Sequence, residues 1–146
     1  MATVKQLLQK KGTDVYSVPL KSTINQALAL MSAKGCGAVI VLDGEAIAGI
    51  FSERDYARKV LNENCSMDMP IDSFMTREVY AVTPESSIDE CMTLMTQKKF
   101  RHLPVVDRNK VVGVISIGDI VKDVIENKEI MIRSLENYIV GHEYNQ

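Results

Sequence analysis

The chain repeats itself. Residues 14–61 align with residues 78–125 at a constant offset of 64 and without a gap. Val15, Tyr16 and Val18 fall on Val79, Tyr80 and Val82; Ser22 and Ile24 on Ser86 and Ile88; Leu30, Met31 and Lys34 on Leu94, Met95 and Lys98. Val41, Asp43, Gly49, Ser52, Asp55 and Val60 fall on Val105, Asp107, Gly113, Ser116, Asp119 and Val124. About 14 of roughly 48 positions are identical, several times what composition alone would give.

Each copy reads as β-α-β-β-α. A strand is expected over Val15–Val18 and over Val79–Val82, then a turn holding Pro19 or Pro84. Ser22 and Ser86 are expected to cap a helix whose apolar residues (Ile24, Ala27, Leu28, Met31; Ile88, Cys91, Met92, Met95) follow helical spacing. Gly35-Cys36-Gly37 ends the first of these helices. Val39–Leu42 with Ala46–Phe51, and Leu103–Val106 with Val111–Ile115, read as hairpins, and a second helix starts at Ser52 or Ser116. One such unit is too small to cover both faces of its sheet. Two copies packed through their sheets would cover each other. The fold class is therefore α/β (α+β): one module of two pseudo-twofold related repeats. Its expected parts are an N-terminal helical arm (1–13), repeat 1 (14–64), a linker (65–77), repeat 2 (78–126) and a C-terminal helical arm (127–146). The arms, Val4–Lys11 and the stretch through Ile130, Ile132, Leu135, Tyr138 and Ile139, either pack on the module's edges or, for the second, join a homodimer.

Composition excludes several functions. The 146 residues carry a net charge of −2, against the strong basicity of a chain that lives on the DNA backbone. With few aromatics and no Trp, a stacking platform for nucleic acid is poorly supported. No apolar run approaches the roughly 20 residues of a membrane span, and the first residues hold no secretory apolar core. Cys36, Cys65 and Cys91 lack metal-site spacing and read as reduced thiols, which suits a cytoplasmic protein. No Walker A, G-x-G-x-x-G, H-E-x-x-H or G-x-S-x-G motif occurs, and His102 and His142 are the only histidines, so an enzyme is not expected. The eight methionines read as core filler.

One motif carries chemistry. Gly49-Ile50-Phe51-Ser52-Glu53-Arg54-Asp55 recurs as Gly113-Val114-Ile115-Ser116-Ile117-Gly118-Asp119. Here a strand runs into a helix N-terminus, with Ser at the cap and Asp three residues on. That is also close to a capping box, which needs no ligand. The same parts suit a nucleotide: free amides and the helix dipole attract phosphate, the Ser hydroxyl donates to it, and the carboxylate accepts from two ribose hydroxyls. The glycine would let another backbone come close.

The motif resembles the glycine–apolar–S/T-x-x-D signature of CBS domains, and the duplicated unit resembles a CBS pair, or Bateman module, of the small stand-alone bacterial type. The stretches 53–60 and 101–107 carry the same likeness. The resemblance implies a regulatory sensor of adenosyl ligands (AMP first, with ADP, ATP, NAD or S-adenosylmethionine also in the family's range) bound in two clefts between the repeats. It implies ribose binding by Asp55 and Asp119, a phosphate-side hydroxyl on Ser52 and Ser116, and adenine read by the backbone around Val18, Val82 and Thr83. Pro104 belongs to the same expected site. The family commonly forms a homodimer, and output would pass to an unknown downstream protein. The copies differ in charge: Arg54 stands against Gly118, and Lys98, Lys99, Arg101 and His102 against Lys34, Gly35, Gly37 and Ala38. The clefts are therefore unequal, and Arg54 with Arg101 and His102 could share one di- or polyphosphate. The alternatives are that Lys98–Arg101 is a solvated helix end, that His102 is structural, and that the whole chain is a protein–protein adaptor without a ligand.

Overall fold

β-branched runs form the two hairpins. In the computed structural model, which describes residues 2–61 and 66–144, with side chains up to Asn137, β2 (Ala38–Asp43) pairs antiparallel with β3 (Ala46–Ser52), and β4 (His102–Asp107) with β5 (Lys110–Ser116). Both pairs carry a bulge at the same place, after Val41 and after Val105. The second turn puts Arg108 and Asn109 at φ 52° and 64°, the twist a two-residue hairpin prefers. β1 (Ser17–Pro19) adds in parallel to β2. Its counterpart in the second copy is reduced to one bridge, Val82 with Val105. The expected first strands thus begin two residues late in one copy and shrink to a single pairing in the other.

The helices are α2 (Ile24–Lys34), α3 (Glu53–Lys59), α4 (Ile88–Lys98) and α5 (Ile117–Tyr144). The caps of α2 and α4 are Thr23 and Ser87, one residue beyond the expected Ser22 and Ser86. Ser86 instead accepts from the Thr83 amide, and Ser22 is buried. In the neighbours Ser22-Thr23 and Ser86-Ser87 either hydroxyl can cap, and tertiary pairing decides: Ile24 and Ile88 must reach the core. α2 stops at Gly35 in the left-handed conformation (φ 65°). Cys65 lies outside the described residues, as do the side chains of Tyr138, Ile139 and His142.

The segments expected to be an edge arm and a linker are instead core. α1 (Val4–Lys11) lies in the core of repeat 2, with Val4, Leu7 and Leu8 buried among Ile88, Cys91, Leu103, Val105 and Ile115. A 3-10 turn at Ile71–Ser73 lies in the core of repeat 1, with Ile71, Phe74 and Met75 buried among Ile24, Val39, Val41 and Phe51. The backbone bonds match: Val4 N donates to Ser86 O and Ile88 N to Ala2 O, as Ile71 N does to Ser22 O and Ile24 N to Met69 O. So each half is completed by the segment that precedes the other half. The internal offset for these segments is 67, not 64, which hid the correspondence.

Two glycines let these segments in. A Cβ on Gly49 would sit 2.7 Å from the Thr76 carbonyl oxygen and 2.8 Å from Met75 Sδ; one on Gly113 would sit 2.8 Å from Leu8 Cδ2. Thr76 and Ile50 exchange both backbone bonds beside the first glycine. α1 is tied to α5 as well, by Lys10 Nζ at 3.1 Å from the buried Asp123 carboxylate, which also accepts from Asn127. The opposite sheet faces, with Ile40 and Ile50 in one repeat and Val114 in the other, border one space between the halves.

Two outcomes follow from this packing. Deleting residues 1–12 strips three buried side chains from the second core, each worth about 1.5–3 kcal/mol. The loss, on the order of 5 kcal/mol, is comparable to a domain's whole stability, so urea unfolding should show repeat 2 unfolded; a chain that kept its full transition would contradict the exchange. Gly49→Ala should cost about 1–3 kcal/mol, because a backbone carbonyl must move. Gly113→Ala should cost less, since only the end of Leu8 must turn.

Candidate functional site

Both S-x-x-D motifs close a helix end and face a cleft at the same time. Ser52 caps α3: its Oγ accepts from Asp55 N at 3.1 Å, and Asp55 Oδ2 accepts from Ser52 N at 3.0 Å. Thr76 Oγ1 donates to Asp55 Oδ1 at 2.9 Å, so the exchanged segment orients the acid. Ser116 and Asp119 repeat the box at the start of α5, at 3.1 and 2.8 Å. There the second partner is a cation: Lys11 Nζ, from the end of α1, donates to Asp119 Oδ2 at 2.7 Å and to Val114 O at 2.6 Å. Burial pushes the Asp119 carboxyl up, but the bonds from Lys11 and from the Ser116 amide outweigh it and hold the acid below its ordinary range.

Each acid borders a cavity built from both repeats. The first cleft, about 350 Å³, lies over Ser52, Arg54 and Asp55 and is closed by Thr76, Glu78, Tyr80 and the run Lys98–His102. The second, about 320 Å³, lies over Ser116 and Asp119 and is closed by Lys11, Asp14, Tyr16 and the run Gly35–Ile40. The two are pseudo-symmetric: Tyr80 takes the place of Tyr16, Glu78 that of Asp14, and Lys99–His102 that of Gly35–Ala38. Gly37, Ile50 and His102 border both. Larger, more open hollows occur on the outer face, for example over Ile117, Val121 and Ile125, but they hold no S-x-x-D acid.

His102 forms the wall between the clefts. Burial disfavours its charged form and lowers its pKa below the ordinary 6.5. Asp119 and Asp55 pull the other way, while Lys11 and Arg101 add to the lowering. Charges on both sides therefore act on one imidazole.

Of the residues expected at the site, Ser52, Arg54, Asp55, Arg101 and His102 come together in the first cleft, and Ser116, Asp119 and His102 in the second. Val18, Val82, Thr83 and Pro104 border neither. Val18 is core, and Val82 uses its amide on Pro104 O and its carbonyl on Val106 N, so that backbone is spent on sheet pairing. Thr83 bonds to Ser86 on the outer face, and Pro104 is buried. The chain segments that do face the clefts lie two to four residues earlier, at Asp14–Tyr16 and Glu78–Tyr80. Sequence reading also missed Lys11 and Thr76, because both sit in the exchanged segments. The identity of Tyr16 with Tyr80 was the available signal for the shifted register.

Among the described residues no group of His, Cys, Asp and Glu is arranged to hold a metal, and no helix is long and apolar enough to cross a membrane. Cys91 is inert core: burial, helped by Glu90, pushes its thiol up to about 11.

The comparisons with known proteins agree with this geometry. The CBS domain model matches residues 4–62 and 71–126, and so includes both exchanged segments. The chain is 32% identical over 149 residues to the CBS domain-containing protein CBSX3, mitochondrial, of Arabidopsis thaliana, covering 95% of this chain and 72% of that one. A solved Burkholderia ambifaria protein with CBS domains is 47% identical, with a TM-score of 0.82, covering 86% of this chain and 95% of that one. More distant structures share the fold: Pyrobaculum aerophilum PAE2072, solved with AMP (23% identity, TM-score 0.72, 80% of this chain and 88% of that one), and the MJ0100 pair, solved with 5-methylthioadenosine and S-adenosyl-L-methionine (22%, 0.74, 83% and 98%). A duplicated fold, a paired S-x-x-D acid facing each inter-repeat cleft and a two-part family match place the chain in the CBS-domain family, as a protein with two CBS repeats.

Proposed function

We propose that this chain is a regulatory sensor of adenine nucleotides, binding AMP or a relative of it (ADP, ATP or NAD) between its two repeats and signalling through a change of shape. The observation that carries this reading is that Asp55 and Asp119 cap their helices and still border a cleft. Asp119 Oδ1 takes no bond among the described residues and is open to a ribose diol. Ser116 and the first amides of α5 lie where a 5′-phosphate would meet the positive helix end. Tyr16 and the apolar wall of Val39 and Ile40 offer an adenine ring a flat, dry side. The AMP, methylthioadenosine and S-adenosylmethionine complexes of the distant pairs support the same ligand class.

A sensor without its own effector must hand the signal on. Selectivity then comes from different affinities for two shapes. Lys11 is the part of this chain best placed to read occupancy: a ribose on Asp119 competes with its ammonium, and Lys11 ends the helix that completes repeat 2. Output to a partner, and a homodimer, belong to this proposal. In support of the dimer, α5 exposes Val121, Ile125, Ile132 and Leu135, about half-exposed each and spaced four, seven and three apart along one side. The free thiols Cys36 and Cys91 fit a reducing compartment such as the cytoplasm. A non-enzymatic role is part of the same reading.

One observation favours the adaptor reading: both capping boxes are complete without a ligand. Thermal unfolding separates the two. AMP at 100 times its Kd adds about 2.7 kcal/mol, or roughly 5–10 °C for a chain of this size. Asp119→Ala and Asp55→Ala should each remove part of that shift, at a cost of about 1 kcal/mol for the lost cap partner. No shift with AMP, ADP, ATP, NAD or S-adenosylmethionine at millimolar levels supports the adaptor instead.

A pH titration tests His102. A phosphate beside it stabilises the imidazolium and raises its pKa on binding. Affinity for AMP is therefore lowest where His102 is neutral in both states, above its bound pKa. It rises as the pH falls through that value and levels off below the free one. His102→Asn should remove the part of this slope not due to the phosphate itself. Identical slopes in parent and variant would remove His102 from the site.

A further inference from the structure

The two clefts are related by pseudo-symmetry, so their differences can be read position by position. At the left-handed helix end the second cleft has Gly35 and the first has Lys99. Two residues on, Gly37 matches Arg101. Inside the S-x-x-D motif, Gly118 matches Arg54. Each of these three changes adds a cation to the first cleft, and none adds one to the second. Lys34 and Lys98 are equal and lie over Tyr16 and Tyr80, at 5.8 and 5.4 Å from the ring centroids. The acids differ by one: Glu78 replaces Asp14, and Glu53 borders the first cleft while its counterpart Ile117 does not border the second, which leaves the first cleft the more positive of the two. The one lysine bordering the second cleft, Lys11, is already bonded to Asp119 and to the Val114 carbonyl.

Lys99 supplies a second, independent observation. It sits at φ 60°, a conformation that suits glycine and strains a lysine, and its counterpart Gly35 has φ 65°. Glycine would serve the backbone better here, and the lysine brings its ammonium to the border of the first cleft. Strain of this kind collects at ligand sites.

We infer that the clefts divide ligands by charge: the one over Ser52–Asp55 takes an adenine nucleotide with two or three phosphates, and the one over Ser116–Asp119 takes an adenosyl ligand with no more than one. This rests on reading both as nucleotide clefts. Asp55 holds the ribose of the first ligand. Arg54, Lys99 and Arg101 then surround the phosphate chain, with Arg54 and Arg101 offering forked donors to its oxygens. His102 separates that chain from the single phosphate of the second cleft. Because it borders both, it lets a full first cleft alter affinity in the second.

The test is isothermal titration with AMP, ADP and ATP, without magnesium, on two variants that each keep one acid. In Asp119→Ala, ATP should bind at least tenfold tighter than AMP, and the preference should shrink as salt is raised. In Asp55→Ala, ATP should bind no tighter than AMP. Adding Lys99→Gly and Arg101→Gly to Asp119→Ala, which restores the residues of the other cleft, should weaken ATP at least tenfold and AMP less than threefold. Lys99→Gly also relieves the backbone, so the unfolding midpoint should not fall. Equal affinities for AMP and ATP in Asp119→Ala, or an ATP affinity untouched by the two glycines, would overturn the division. Failure of the parent chain to bind any of the three would instead overturn the nucleotide reading beneath it.

Discussion

Everything in this fold depends on the close approach at Gly49 and Gly113. Without a side chain there, the Met75–Thr76 segment and Leu8 enter the other half's sheet side at distances no Cβ would allow. That exchange completes each hydrophobic core and ties each repeat to the segment that precedes the other. It also delivers the partners of the two acids: Thr76 to Asp55 and Lys11 to Asp119. Stability and the electrostatics of the clefts therefore share one cause, and a change at the glycines is felt at the two cleft acids.

A complete capping box and an acid that borders a cleft coexist in the same residues. An aspartate at N3 accepts the cap amide through one oxygen. The box at Ser116 uses Asp119 Oδ2, and the same residue borders the cavity. The helix end fixes the carboxylate's rotamer on its own, so under the proposed reading a ligand would have little ordering to do there. Lys11 acts in the opposite direction, holding Asp119 ionised and partly satisfied. On the proposed reading, a ribose that used both carboxylate oxygens would share that bond with Lys11 and so couple occupancy to the position of α1.

Much of this was legible in the sequence. Gapless self-similarity gave the number of units, and β-branched runs gave both hairpins to within a residue or two. The S-x-x-D pair marked both clefts, and the Arg54/Gly118 and Lys99/Gly35 mismatches marked their inequality. What remained hidden has a physical reason. The exchanged segments lie outside the alignable repeat and follow a different offset, so Val4, Leu8, Ile71 and Phe74 read as arm and linker rather than core. The cleft-facing stretch was misplaced toward Val18 and Val82, because backbone already committed to sheet pairing cannot be told from free backbone without knowing the register. The choice of cap between Ser22 and Thr23 turns on which phase carries Ile24 inward, a tertiary matter.

The most direct measurement is an amide chemical-shift map of the chain titrated with AMP. The account predicts that the largest changes fall on Ser116–Asp119 and on Asp14–Tyr16 with Gly35–Ala38, from both repeats at once, with smaller changes along α1 as Lys11 is released. Changes confined to the outer side of α4 and α5, with the amides of Ser52–Asp55 and Ser116–Asp119 unmoved at saturation, would contradict it.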